Sequence, residues 1–353
     1  MAEKIAGGDR VKRNIYLDYL RGLSAVCVIL FHYTTRYDQL FQHREAYFFN
    51  LPWGNQAIFA FYLLSGYFAM NRIETGSLKQ YLARRFFRLY PVYWLSVLVI
   101  FPITWFFLPS RAVSLKDALI NLTMFQDFLG VPKVDGAYWT LKYEIDLYLV
   151  ISVIFLLNLK KYPERLCAGW TALQILCVIL PDAAPFAYYV KRINEVFLLG
   201  TGYGQTIMMG AIISCLEKTL LIKKERRWLK AALLLGSLAF CMLRLLWIFG
   251  KRCGLDIALM IALIMLAVIL HERGVRPTGP VEKLLRPLAF VAAVSYPLFL
   301  FHQNIGYAIL LGLESHGLTN EVFMLVPIAF MVGIAYLIHR FVERPLRKYA
   351  VSI

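Results

Sequence analysis

Ten apolar stretches, separated by short polar and mostly basic segments, set the pattern of the chain. They lie near 15–34, 53–71, 88–108, 139–158, 166–181, 196–216, 228–249, 255–271, 287–311 and 321–341. As helices they are long enough to cross a hydrocarbon layer about 30 Å thick, the fifth only barely. The pattern predicts an all-α polytopic membrane protein with about ten transmembrane helices. A further stretch, 115–129, contains Asp117, Gln126 and Asp127 and reads as a helix or loop lying at the surface. The longest connection runs from about Leu108 to Tyr138, which leaves no room for an ordinary soluble domain. Residues 1–353 therefore read as one membrane-embedded unit with its core at about 15–348. The opening residues are polar and basic (Lys4, Arg10, Lys12, Arg13) and lead into a full-length span without a small-residue cleavage site. No removable leader is expected.

Composition agrees with the pattern. The chain is 59% hydrophobic and 17% charged, against about 45–50% and 25% for soluble domains. The net charge of +16 has a topological cause. With the N-terminus in the cytoplasm, 26 Lys and Arg fall inside and 9 outside, and Arg21, Lys142 and Arg244 fall within spans. That bias is what the positive-inside rule gives for ten helices with both termini cytoplasmic. The basicity then serves topology and anionic lipid, and no nucleic-acid partner is expected. Four of the six cysteines (Cys27, Cys177, Cys215, Cys241) fall inside spans, Cys167 at a span end and Cys253 outside. They show no CxxC or His/Cys metal spacing, so neither a disulfide nor a metal site is expected.

Chemistry begins where polar groups sit inside apolar spans, because such groups are costly and usually serve a function. Arg21 and His32 lie eleven residues apart on the first span. Eleven steps of about 100° end about 20° past three full turns, so both side chains share one face, about 16 Å apart. Counting from the surfaces places Arg21 about 8 Å into the layer and His32 about 24 Å along it. Counted inward from Trp139, Glu144 lies about 7 Å below the outer surface, and His302 lies about 22 Å along the ninth span. His32, Glu144 and His302 thus converge on one depth, a set suited to general acid–base work. A structural His–Glu bond tying helices together uses the same residues.

At the cytoplasmic start of the third span, RRFFRLYP carries Arg84, Arg85 and Arg88. Arg85 shares a face with Arg88, and so does Arg84. Such arginines hold phosphate well, although positive-inside anchoring gives the same pattern. Asp18 reads as an ion-pair partner for Arg21, while Lys142 and Arg244 stand unexplained. Ser65–Gly66 reads either as a close-packing step or as a notch where a thin ligand passes. The glycines of GTGYGQTIMMG (200–210) read as packing or a helix break, because no strand precedes them.

These motifs together resemble the acyltransferase-3 family of integral membrane acyltransferases. LDYLRGLSAVCVILFHY resembles its first-helix Arg-x10-His signature, FYLLSGYF its second-helix element, and RRFFRLYPVYW its arginine-rich third helix. WTLKYEIDLY resembles its Trp-Ser-Leu-x-x-Glu-x-x-Phe-Tyr, with Thr140 for Ser and Leu147 for Phe. SYPLFLFHQ resembles Ser-Tyr-x-x-Tyr-Leu-x-His, with Phe299 for Tyr, and FVERPLRK the closing Glu-x-Pro. Six elements occur in order over about 15–348.

The resemblance implies a transferase that moves an acyl group, expected to be acetyl, from cytoplasmic acyl-CoA to a hydroxyl acceptor. A cell-surface or lipid-linked saccharide is the expected acceptor, and the bacterial cytoplasmic (inner) membrane the expected location. It implies that His32 is the catalytic base, with Arg21 its partner arginine. Glu144, and with it His302, would orient His32 or stabilise its imidazolium. Arg21, Arg84, Arg85 and Arg88 would hold the CoA phosphates, with Ser65 and Gly66 beside the arm. Family members often append an extracytoplasmic hydrolase-like domain that this sequence does not show, which leaves a protein partner or a second copy open. The rival readings are a proton-coupled transporter, which uses the same intramembrane residue types, and a flippase-like assembly protein without chemistry.

Overall fold

The computed structural model describes residues 14–42, 50–71, 73, 76–181, 184, 186–221 and 227–351. The basic residues Lys4, Arg10, Lys12 and Arg13 lie outside them. Among the described residues the fold is all-α, with no strand. The principal helices are α1 (Ile15–Phe31), α2 (Tyr37–Phe41), α3 (Ile58–Asn71), α4 (Leu78–Phe107), α5 (Leu115–Asn121), α6 (Leu141–Leu156) and α7 (Pro163–Ile179). They continue with α8 (Ala187–Phe197), α9 (Gly202–Leu221), α10 (Arg227–Glu272), α11 (Gly279–Ser315), α12 (Leu325–Ile338) and α13 (Arg344–Val351).

Five helical stretches are long and apolar enough to cross a membrane: Ile15–Phe41, Leu78–Phe107, Arg227–Glu272, Gly279–Ser315 and Glu321–Tyr349. A sixth arises if α8 and α9, bent by 65°, count as one span. The glycine-rich 200–210 segment begins at that bend. Helix α10 is two helices. Gly250, at φ 81° and ψ 171°, interrupts its 46 residues, a conformation glycine tolerates. Leu235, Ala239 and Met242 before the break line the same apolar cavity as Ala258 and Ile261 after it, so the halves fold back side by side. The outer faces are apolar: Trp247 is 78% exposed, Phe106 74% and Leu98 64%. Surfaces of that kind suit lipid rather than water. The 115–129 stretch forms short α5 and a series of turns.

Local signals explain the boundaries. Asn14 caps α1, its side chain accepting from the Tyr16 and Leu17 amides. Ser77 and Gln80 form a capping box at the start of α4. Two seams then organise the core. A Cβ on Gly66 would overlap the Ile207 carbonyl, and one on Gly210 would overlap the Leu63 carbonyl, so α3 and α9 touch backbone to backbone. A Cβ on Gly22 would likewise overlap the Leu288 carbonyl where α1 meets α11.

Candidate active site

The seam between α1 and α11 carries the site. After Phe31 the first helix widens into a π-helical segment, His32–Arg36, a distortion frequent at functional positions. The Tyr33 ring fills the space over Gly306, and its hydroxyl donates to the His302 carbonyl at 2.7 Å. That contact locks the outer end of the seam and brings His32 and His302 edge to face, with centroids 4.9 Å apart. His32 Nδ1 lies 3.0 Å from the Tyr307 hydroxyl. His302 Nδ1 donates to the Phe299 carbonyl at 2.8 Å. A carbonyl only accepts, so in neutral His302 the lone pair sits on Nε2. That atom is buried without a partner.

Between the two ends of the seam lies a small cavity, lined by Ala25, Val28 and Ile29 of α1, Ser295, Leu298, Phe299 and His302 of α11, and Phe61 of α3. Residues 21, 25, 28, 29 and 32 form one stripe of α1, so the cavity lies on the face shared by Arg21 and His32. Its volume is about 10 Å³, room for about one water. Passage of a larger group requires the helices to part.

A polar wall backs the imidazoles. Gln303 Nε2 donates to the Tyr307 hydroxyl at 3.3 Å, and its Oε1 is buried without a partner. Arg111 Nε donates to Asn304 Oδ1 at 2.7 Å, and its guanidinium lies 5.4 Å from the Tyr307 ring centroid. The Asn304 amide donates to Asp135 Oδ2 at 3.0 Å. Sequence reasoning missed Arg111, Asp135, Gln303, Asn304 and Tyr307. The available signal was the run of polar residues Gln303, Asn304 and Tyr307 directly after His302, inside an otherwise apolar span.

The arginines gather toward the other end. Arg21 feels the charges of Arg88, Glu144, Asp18 and Arg347. Arg21 Nε and Arg88 Nε are both buried without a hydrogen-bond partner. Arg85 lies over the rings of Tyr81 and Tyr148, at 5.2 and 5.0 Å. Arg84 is exposed, its guanidinium beside Gly76, away from this group.

Two sequence expectations meet a different geometry. Glu144 is not bonded to His32; it accepts from Ser65 Oγ at 3.3 Å and from the Tyr148 hydroxyl, close to the arginines. Val134, Asp135 and Tyr138, which precede the helix of Glu144, are fully buried. Asp135, through Asn304, is the carboxylate at the level of the imidazoles. The open face of Gly66 is filled by α9, so that glycine lets the two helices pack backbone to backbone.

Lys142 is accounted for by Asp146 at 2.7 Å and by the Phe128 and Tyr143 rings. Arg244 lies against the Trp247 ring. Among the described residues no group of His, Cys, Asp and Glu is arranged to hold a metal ion, and the six cysteines are free.

Comparison with known proteins bears on this geometry. A family model for an acyltransferase domain, acyltransferase-3, matches residues 14–340. The peptidoglycan O-acetyltransferase OatA of Listeria monocytogenes is 26% identical over 377 residues, covering 94% of this chain. The chain spans about half of that relative, 55% of its length. No solved structure matches.

Proposed function

The chain belongs to the acyltransferase-3 family, and on that premise we propose that it moves an acetyl group from cytoplasmic acetyl-CoA to a saccharide hydroxyl beyond the membrane. Peptidoglycan or a lipid-linked saccharide is the acceptor proposed, by analogy with the similar O-acetyltransferase. The topology that goes with this reading has ten spans and both termini in the cytoplasm. It sets the protein in the bacterial inner membrane, with the arginines on the inner side.

One observation carries the proposal: the unpartnered polar atoms at the two ends of the α1–α11 seam are of opposite kinds. At the Arg21 end they are N–H donors, Arg21 Nε and Arg88 Nε. At the His32 end they are acceptors, His302 Nε2 and Gln303 Oε1. Buried polar groups are costly unless bonded. Orphaned donors suit phosphate oxygens, and orphaned acceptors suit a hydroxyl. A small cavity lies between them, against His302.

In this reading Arg21, Arg85 and Arg88 hold the phosphates of the donor while its thioester reaches outward along the cleft as the helices part. Arg84, exposed and apart, adds only to the general positive field. Glu144, fixed by Ser65 and Tyr148, offsets the mutual repulsion of Arg21 and Arg88. The acceptor oxygen attacks the thioester carbonyl while neutral His32 takes its proton through Nε2. The C–S bond then breaks, and the leaving thiolate recovers that proton from the imidazolium. His302 Nε2 and Gln303 Oε1 receive hydroxyls of the acceptor and orient it.

Full-length protein in detergent, supplied with acetyl-labelled acetyl-CoA and peptidoglycan fragments or a lipid-linked oligosaccharide, should release CoA thiol and label the saccharide. Absence of both, with labelled saccharide instead moving across proteoliposomes, would replace the transferase by a carrier.

A further inference from the structure

We propose that Tyr307 is the positioning residue that sets His32 up as a base, doing with a phenol what a carboxylate does in an Asp–His pair. The inference rests on the role given to His32 above. A neutral imidazole carries one N–H. For Nε2 to accept a proton, the ring's own proton must sit on Nδ1 and point at an acceptor. Nδ1 of His32 lies 3.0 Å from the Tyr307 hydroxyl oxygen, and among the described residues no carboxylate is bonded to His32.

Tyr307 is built to stay in place. It is 0% exposed. Gln303 Nε2 donates to its oxygen at 3.3 Å. The rings of Tyr37 and Phe41 lie 5.8 and 5.5 Å from its own. The Arg111 guanidinium stands 5.4 Å from the ring centroid, itself tied through Asn304 to Asp135. A line of fixed contacts therefore runs from buried Asp135 to the far nitrogen of His32. The other candidates for this task are engaged elsewhere. Glu144 is bonded to Ser65 and Tyr148. His302 spends Nδ1 on the Phe299 carbonyl and meets His32 by ring contact.

The proton balance needs no ionised phenol. The acceptor proton goes to His32 Nε2, Nδ1–H keeps its proton and donates to the Tyr307 oxygen, and Tyr307 keeps its own. The proton on Nε2 leaves with the thiolate. Tyr307 thus supports the imidazolium only while it exists, so its removal should lower turnover and spare donor binding.

The test uses Tyr307→Phe in the solubilised full chain, with acetyl-CoA and the saccharide above as substrates. The expected result is a kcat reduced about ten- to hundredfold, the scale of one hydrogen bond to a charged group. The KM for acetyl-CoA should stay within about twofold, and the thermal unfolding midpoint should hold. Phe41→Leu, which keeps the phenol and loosens one ring contact that holds it, should show a smaller loss of the same kind; if Tyr307→Phe does not fold, this variant carries the test. An unimpaired kcat in the folded variant, or a parallel loss of donor affinity and thermal stability, overturns the proposal. An inactive His32→Ala beside an unimpaired Tyr307→Phe removes this inference alone. A fully active His32→Ala removes the reading beneath it as well.

Discussion

The two tightest helix seams use the same device to different ends. Along α3 and α9 the contact is reciprocal: Gly66 faces the Ile207 carbonyl and Gly210 the Leu63 carbonyl, so the seam closes through its middle. Along α1 and α11 the tightest contacts are made toward the ends. Gly22 meets Leu288 at one, and Tyr33 meets His302 and Gly306 at the other. Between these pins the helices leave the cleft of Ala25, Val28, Ile29, Ser295 and Leu298. Small residues pull helices together wherever they fall. Their placement decides whether a seam is a joint or a passage, and the unpartnered Arg21 Nε, Arg88 Nε, His302 Nε2 and Gln303 Oε1 lie toward the ends of the second.

The sharpest way to break the comparison is His32→Ala. If the pinned seam is the reaction path, turnover should fall about 10²- to 10⁴-fold, the usual contribution of a positioned acid–base group. Expression and thermal stability should stay near wild type, because the residue is only partly buried and, among the described residues, its ring makes one hydrogen bond, to Tyr307. Retention of more than about a tenth of the wild-type rate, measured by CoA release, would take the chemistry out of this seam.

Next in size is the inner end. Arg21→Met with Arg88→Met removes the two unpartnered donors, and acetyl-CoA affinity should fall about ten- to hundredfold per lost charged contact. Titration with acetyl-CoA and with an acetylated pantetheine lacking phosphates separates the cases. Equal loss for both would make the arginines anchors of topology.

The closed seam is probed by Gly66→Ala. The new methyl meets a backbone carbonyl, which has little room to move, so the cost should be about 1–3 kcal/mol of stability, as for overpacked cores. It should be read as a lower unfolding midpoint with unchanged KM for acetyl-CoA. A changed KM at full stability would return Gly66 to the ligand path.

How far these regions were legible in the sequence follows from the physics of each. Apolar run length marks helices directly, and each of the ten stretches carries one, but among the described residues only five helical stretches, or six with the bent α8–α9 pair, are long and apolar enough to cross a membrane. A helical repeat fixes which residues share a face, so Arg21 and His32 were paired through one element. Depth across elements was not legible. It was counted from Trp139, which sits in a largely buried 3-10 segment that no periodicity reveals. The partners of His32 were hidden for a related reason. Tyr307 looks like one more aromatic on an apolar helix, and Asp135 like a loop acid. Only packing shows that both are buried and joined through Asn304 and Arg111.

Glu144→Gln gives the smallest expected effect and sharpens the comparison most. The depth count would put its charge beside His32, where loss should appear in turnover. Its contacts put that charge with the arginines instead: Ser65 and Tyr148 hold the carboxylate, and Arg21 feels it alongside Arg88. Glutamine keeps the shape and one acceptor oxygen, so Ser65 retains its bond and Tyr148 turns to accept from the new amide. What disappears is the negative charge between two cations. Without it the arginines repel more strongly in the empty site. They also lose a competitor for the donor's phosphates, and the two effects oppose each other. The expected outcome is a change of a few-fold in acetyl-CoA KM with kcat nearly constant, because the charge acts alike on ground and transition states. A large drop in kcat at unchanged KM would move Glu144 back to the reacting end and dissolve the division of labour along α1.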